Sequence, residues 1–259
     1  MRGVDRDRVL QVRVSRGVAT LTLDSPANRN ALSRAVRAQL RTALAAALAD
    51  DAVRVVVLDH TGRVFCSGMD LAEAAGGAAE DQGVREVPEL LETLFTAAKP
   101  VLAVVRGPAR AGGVGVLAAC DVVVAGAAAT FAFSEVRLGI VPAVISAVVL
   151  PRMLPHLAHR LMLTGEVFDA ATAAAAGLVD VAVPDEQVDA AVAAQVTALA
   201  AGAPAALAAT KRLLRAGGLR GSFDELQELS ARFFASEEGQ EGIAAFREKR
   251  PARWVPAAD

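Results

Sequence analysis

The stretch "ARAGGVGVLAACD" (residues 109–121) runs from a glycine-rich turn into an apolar segment that Asp121 closes. Gly112, Gly113 and Gly115 bring backbone close to something. Gly113-Val-Gly115-Val-Leu-Ala118 fits G-x-G-x-x-G/A, and Glu135 lies twenty residues beyond Gly115, so a dinucleotide fingerprint is one reading. Three features oppose it. Residues 107–111 separate the glycines from the preceding strand, where the fingerprint needs an immediate turn. About a hundred residues of strand and helix come first, although the fingerprint normally opens its domain. The reading also leaves a second glycine turn, at 65–71, without a role. No Gly-Lys-Ser/Thr follows the glycines, which excludes a P-loop.

That second turn is Phe65-Cys66-Ser67-Gly68-Met69-Asp70-Leu71. A strand ends, Gly68 permits an unusual backbone angle, and Asp70 is placed to cap a helix. The Met69 N–H is then free to point into a cleft. Gly112 stands likewise at a helix start, where N–H groups are unpaired and the dipole is positive. Two such donors converging on one point form an oxyanion hole. Taken singly, each glycine is explained as well by a tight turn.

Around these turns the chain alternates strands and helices. "VLQVRVSRGVATLTLDSP" (9–26) reads as two short alternating strands about a turn at residues 15–17. A helix over 30–50 follows, with Ser33 as a candidate cap. "VRVVVLDH" (53–60) and "PVLAVVRG" (100–107) are β-branched runs typical of buried parallel strands. Residues 76–84 read as a mobile loop. "TFAFSE" (130–135) reads as a strand, and the periodicity after Pro184 is helical. The order predicts an α/β core over 1–190 and a helical C-terminal subdomain over 191–259.

With 54% hydrophobic and 22% charged residues, the chain has material for a large core. A net charge of -2 leaves no basic footprint, so no nucleic-acid partner is expected. Cys66 and Cys120 sit in apolar settings and read as buried thiols of a reducing compartment. No apolar run approaches the ~18–20 residues that cross a bilayer. The N-terminus is charged where a signal peptide is apolar, so a soluble cytoplasmic protein without membrane contact is expected. His60, His156 and His159 fit no nucleophile or metal spacing, and no metal is expected.

At this point the sequence resembles the crotonase superfamily of enoyl-CoA hydratases and isomerases. Five ordered motifs carry the resemblance over nearly the whole chain. "SPANRNAL" (25–32) is similar to the family's CoA-contacting segment, without the common lysine at Ala27. "FCSGMDL" (65–71) resembles its first oxyanion loop, and "VVRGPARAGGVGVLAACDVVVA" (104–125) its second loop and helix. "FAFSEVRLGIVPAVIS" (131–146) resembles its catalytic-acid strand and following helix. "FFASEEGQEGIAAFREKRPARW" (233–254) resembles its C-terminal helices. The resemblance implies the ClpP/crotonase-like spiral of ββα units. It also implies an acyl-CoA thioester substrate with no separate cofactor, and a homotrimer or a hexamer made as a dimer of trimers.

Carried over by position, the backbone N–H groups of Met69 and Gly112 are the oxyanion donors and Glu135 is the acid/base. Asn28, Arg29, Ser67, Gly68, Asp70, Leu71, Gly113 and Lys249 are the implied substrate and CoA contacts, Lys249 and Arg250 through CoA phosphates of the same or a neighbouring subunit. Arg34, Arg37 and Arg41 form a basic helical face, read by default as solvated. Phe131, Phe133 and Leu138 should desolvate Glu135 and raise its pKa. The family's first glutamate falls on Gly115, which has no proton to move. That departure leaves three readings: hydration with one glutamate, isomerisation between 3-enoyl and 2-enoyl forms, or an acyl-CoA-binding protein without turnover. "SEVRLGIVPAVIS" (134–146) is similar to a methylglutaconyl-CoA hydratase-like branch, which favours hydration. No aspartate stands in 141–146, which disfavours covalent chemistry there.

Overall fold

The computed structural model describes residues 8–70, 73, 86–215, 232 and 236–256. Leu71 and the loop expected over 76–84 lie outside the described residues. Strands β1 (Leu10–Ser15) and β2 (Val18–Leu23) form an antiparallel hairpin. Arg16 and Gly17 make its turn at φ of 51° and 75°, the left-handed pair that suits the twist of a tight hairpin. Ser33 caps helix α1 (Arg34–Ala49), its hydroxyl accepting from the Val36 N–H.

Strands β3 (Val55–His60), β4 (Val101–Val105), β6 (Val122–Gly126) and β9 (Val181–Val183) continue the sheet parallel to β2, in the order β1-β2-β3-β4-β6-β9. A small second sheet joins β5 (Ala109–Arg110), β7 (Thr130–Ala132) and β8 (Phe168–Asp169).

The β-branched runs are apolar on both faces because both faces are covered. Val56, Leu58, Ala103, Val105 and Val123 point into a core shared with α1, α2 (Glu86–Thr96) and α3 (Gly112–Ala119). Their neighbours Val55, Val57, Leu102, Val104 and Val124 point the other way, onto helix α7 (Val188–Ala200). A boundary between residues 190 and 191 therefore falls inside a helix that covers the sheet. Among the described residues, further helices are α4 (Ala143–Val149), α5 (Pro155–Thr164), α6 (Ala170–Ala175), α8 (Pro204–Arg215) and α9 (Glu237–Glu248). No single helix among the described residues is long and apolar enough to cross a membrane.

All eight residues of α3 are buried. A helix without a polar face belongs inside a core, and this burial fixes where its N-terminus emerges.

Candidate active site

The two glycine turns follow the ends of β3 and β4 and are bound to each other. Cys66 bridges Ala109, with the Arg110 N–H donating to the Cys66 carbonyl at 3.0 Å. Gly68 has φ +91°, and a Cβ there would stand 3.1 Å from the Arg110 oxygen and 3.5 Å from the Gly112 nitrogen. Glycine is required by both angle and space. Ala111 takes φ 48°, ψ -120°, a costly conformation for a residue with a Cβ. Its N–H donates to the Ala132 carbonyl at 3.0 Å, and its own carbonyl accepts from Val114 and Gly115. The strained residue thus turns the chain abruptly into α3. Among the described residues, no protein acceptor engages the N–H of Met69 or of Gly112, and both residues line one cavity.

Glu135 lines the same cavity. It was expected at a strand end, but β7 stops at Ala132 and Glu135 lies in a 3₁₀ turn (Ser134–Leu138). Gly139 closes that turn in the left-handed region, and the Ile140 N–H donates to the Glu135 carbonyl at 3.1 Å. Glu135 is 6% exposed, and its Oε2 is buried without a hydrogen bond. Burial pushes its pKa up, outweighing its own backbone N–H. Arg137 does not pair with it; its Nε donates to the Thr164 carbonyl at 3.1 Å.

Ser67 is also on the cavity wall. Gly68 lies behind it, its carbonyl taking the Leu32 N–H at 2.8 Å. Asp70 accepts from the Glu73 N–H at 3.4 Å, as a cap does, and from Asn28 Nδ2 at 3.4 Å. Asn28 Oδ1 is buried and unpartnered. Arg29 is exposed, at φ 59°, and its carbonyl accepts from Ser67. Gly113 is not on the wall: a Cβ there would fall 2.6 Å from the Cys66 carbonyl oxygen, so this glycine serves packing.

Lys249 is not brought to the cavity within the chain. The segment after it docks at the opposite end of the sheet, where Trp254 donates to the Ala201 carbonyl and Pro256 lies against Gly17. Arg250 is engaged by Glu241 and Glu248, at 2.7 and 2.6 Å, rather than presented to a ligand.

Gly115 is backed by hydrocarbon. A Cβ on it would stand 2.5 Å from Ile145 Cγ2, 3.0 Å from Ile145 Cβ and 3.4 Å from Leu91 Cδ1. The space of a side chain at 115 is already filled. Ile145 itself faces the cavity.

Sequence reading missed two supporting groups, Arg37 and Asn30, while His60, read by default as packing or surface, is packed in the core. Arg37, expected on a solvated face, is 4% exposed; it donates to the Leu32 carbonyl and pairs with Glu86 at 2.6 Å. Through Leu32 it steadies the Gly68 turn, and it holds the Glu86 carboxyl below its usual range. Asn30, fully buried, donates to the carbonyls of Thr61 and Val64 and accepts from the Ser25 N–H. His60 accepts the Arg106 N–H on Nε2 at 3.1 Å and stacks edge-on to Phe65, and burial lowers its pKa. His156 and His159 are exposed. Cys66 and Cys120 are buried free thiols with pKa values pushed up to about 12 by desolvation. Among the described residues, no three His, Cys, Asp or Glu side chains converge as a metal site.

Over nearly its whole length the chain is also similar to known proteins. Residues 13–256 match the family model described as enoyl-CoA hydratase/isomerase. The chain is 36% identical to the 2,3-dehydroadipyl-CoA hydratase of Escherichia coli, over 90% of this chain and 93% of that one. A crystal structure of an enoyl-CoA hydratase from Mycobacterium avium is 44% identical and superposes with a TM-score of 0.74, covering 95% of this chain and 98% of that one. AtuE of Pseudomonas aeruginosa is 35% identical, with a TM-score of 0.90 over 96% and 100%. With the fold, the motifs and these likenesses in agreement, the chain belongs to the enoyl-CoA hydratase/isomerase family of the crotonase superfamily and is an enzyme of that family.

Proposed function

We propose that the protein adds water reversibly to a 2-enoyl-CoA thioester. The thioester oxygen sits on the Met69 and Gly112 N–H groups, which stabilise the enolate that forms when water attacks the β-carbon; one such donor contributes about 3–4 kcal/mol to the barrier. Glu135 takes the proton from water and returns one to the α-carbon. The observation that carries this reading is a desolvated carboxyl, one oxygen of which has no hydrogen-bond partner, on the wall of the cavity that also holds two unengaged backbone donors. A raised pKa brings a carboxyl towards the range in which it can both accept and give a proton. Ser67, Gly68, Asn28, Arg29, Asp70 and Leu71 form the CoA side of the site, and Lys249 reaches CoA only from a neighbouring subunit. Coenzyme A is part of the substrate, and the reaction asks for no further cofactor.

The test is turnover of crotonyl-CoA, followed as loss of the conjugated thioester absorbance. Glu135→Gln should lower kcat by roughly 10²–10⁴-fold, the usual worth of a positioned general acid/base. Near-normal turnover in that variant overturns the assignment.

The filled space beside Gly115 favours one competing reading. With one carboxylate in an apolar cavity, the protein would shuttle a proton between carbons and isomerise a 3-enoyl-CoA to the 2-enoyl form. Faster conversion of 3-enoyl-CoA than of crotonyl-CoA, with no water gained, would decide for it. Tight acyl-CoA binding without turnover of either would decide for a binding protein.

A further inference from the structure

Among the described residues, the wall of the cavity is poor in polar groups. Its described wall carries the side chains of Ser67, Ser134 and Glu135 and no lysine, arginine or histidine. The rest is hydrocarbon, chiefly Val87, Leu138, Ile140, Val141, Val144 and Ile145. A second carboxylate entering on a substrate would find no described counter-charge. It would also lie near Glu135, whose own Oε2 has no partner. Like charges without compensation in an apolar site are strongly disfavoured.

The wall on the α3 side is set by two residues together. Ile145 is 3% exposed and rests on Gly115, with Cγ2 only 2.5 Å from where a Cβ at 115 would be. Leu91 closes the space from α2, 3.4 Å from the same point. Neither partner can enlarge towards the other without displacing it. The cavity measures about 220 Å³, below the roughly 300–1,000 Å³ of sites that enclose a drug-sized ligand. It suits an acyl group and its thioester, with the remainder of CoA outside.

We propose that Ile145, seated on Gly115, is the specificity-determining wall of this site, and that the acyl chain it selects is a short, uncharged hydrocarbon. The proposal rests on the reading of the cavity as a thioester site.

Saturated acyl-CoAs bind without turnover, so calorimetric titration tests the wall independently of the reaction catalysed. Butyryl-CoA and succinyl-CoA have acyl chains of equal length and differ in a terminal carboxylate. The wild-type protein should bind butyryl-CoA at least about tenfold more tightly, because the carboxylate is buried unpaired. In Ile145→Ala the affinity ratio of octanoyl-CoA to butyryl-CoA should rise by about tenfold or more, since several methylenes gain burial. Ile145→Val, a milder truncation, should move the ratio in the same direction by less. Equal or tighter binding of succinyl-CoA overturns the uncharged acyl class. An unchanged octanoyl-to-butyryl ratio in both variants overturns the role of Ile145. Failure of the wild-type protein to bind any of the three removes the thioester reading along with the proposal.

Discussion

Glu135 stands where burial favours the neutral form of a carboxyl. Desolvation raises its folded-state pKa above the ordinary 4.5. Between 4.5 and that raised value the folded protein keeps a proton that the unfolded chain has lost. Stability from this residue is therefore full below 4.5 and declines as pH rises through the window. Glu135→Gln removes the buried charge but keeps the shape. In urea titrations the variant should be more stable than wild type at about pH 8, and the two should converge below about pH 4.5. A variant less stable at both pH values would mean that the carboxylate is compensated in the folded state. The opposite bargain holds at Ala111, where φ 48°, ψ -120° costs on the order of 1–3 kcal/mol. The strain is met by hydrogen bonds at both sides of the residue, and what it gains is the direction of the next N–H. The sequence displays Gly112 and Gly68 plainly, because glycine is the usual mark of such turns. It does not show that the strained angle falls on an alanine, since no residue type announces strain imposed by distant carbonyls.

At the scale of elements, the pairing of α3 with α4 decides what the site can contain. These helices meet where Gly115 faces Ile145, and no space is left between them. Gly115→Ala should cost about 1–3 kcal/mol of folding stability by overpacking, despite the higher helix propensity of alanine. Ile145→Ala alone should cost about 2–5 kcal/mol through its cavity. The double variant, in which one methyl enters as others leave, should be less destabilised than the sum by roughly 1 kcal/mol or more. Strict additivity in denaturant titrations would show that the helices are free to shift apart. Most elements are legible from periodicity: the hairpin at 10–23, α1 with its Ser33 cap, and the parallel strands. Strands β5 and β8, each two residues long, are not, because a period of two cannot be read from so few positions. Arg37 is misread for a related reason. Its partner Glu86 lies 49 residues away, and helical spacing alone cannot distinguish a solvated arginine from one locked between helices.

Over the whole molecule, the expected split into core and tail meets a continuous structure. Helix α7 covers the second face of the sheet. Lys211 and Arg215 of α8 then reach back to Asp121 at 2.5 and 3.1 Å, and Arg215 also stacks on Phe95 at 3.7 Å. Asp121, visible in the sequence as the close of an apolar run, thus anchors a helix ninety residues later. Such long-range pairing is set by topology and leaves no local trace. The outer surface carries one more signal. Leu163 is 65% exposed and Val167 60%, with Leu150 and Leu154 also open. Leu150 and Leu163 line a shared hollow of about 630 Å³ with Met162 and Pro155. Soluble monomers rarely leave large contiguous apolar patches open, whereas assembly surfaces do. The expected outcome in sedimentation is a trimer or hexamer of the 26.6 kDa chain. Leu163→Lys should weaken that assembly while leaving the far-ultraviolet dichroism unchanged, because the side chain lies outside the core. A wild-type protein that sediments as a single 26.6 kDa chain across the micromolar range would overturn the assembly. It would also leave Lys249, held away from the cavity of its own chain, without a neighbouring site to serve.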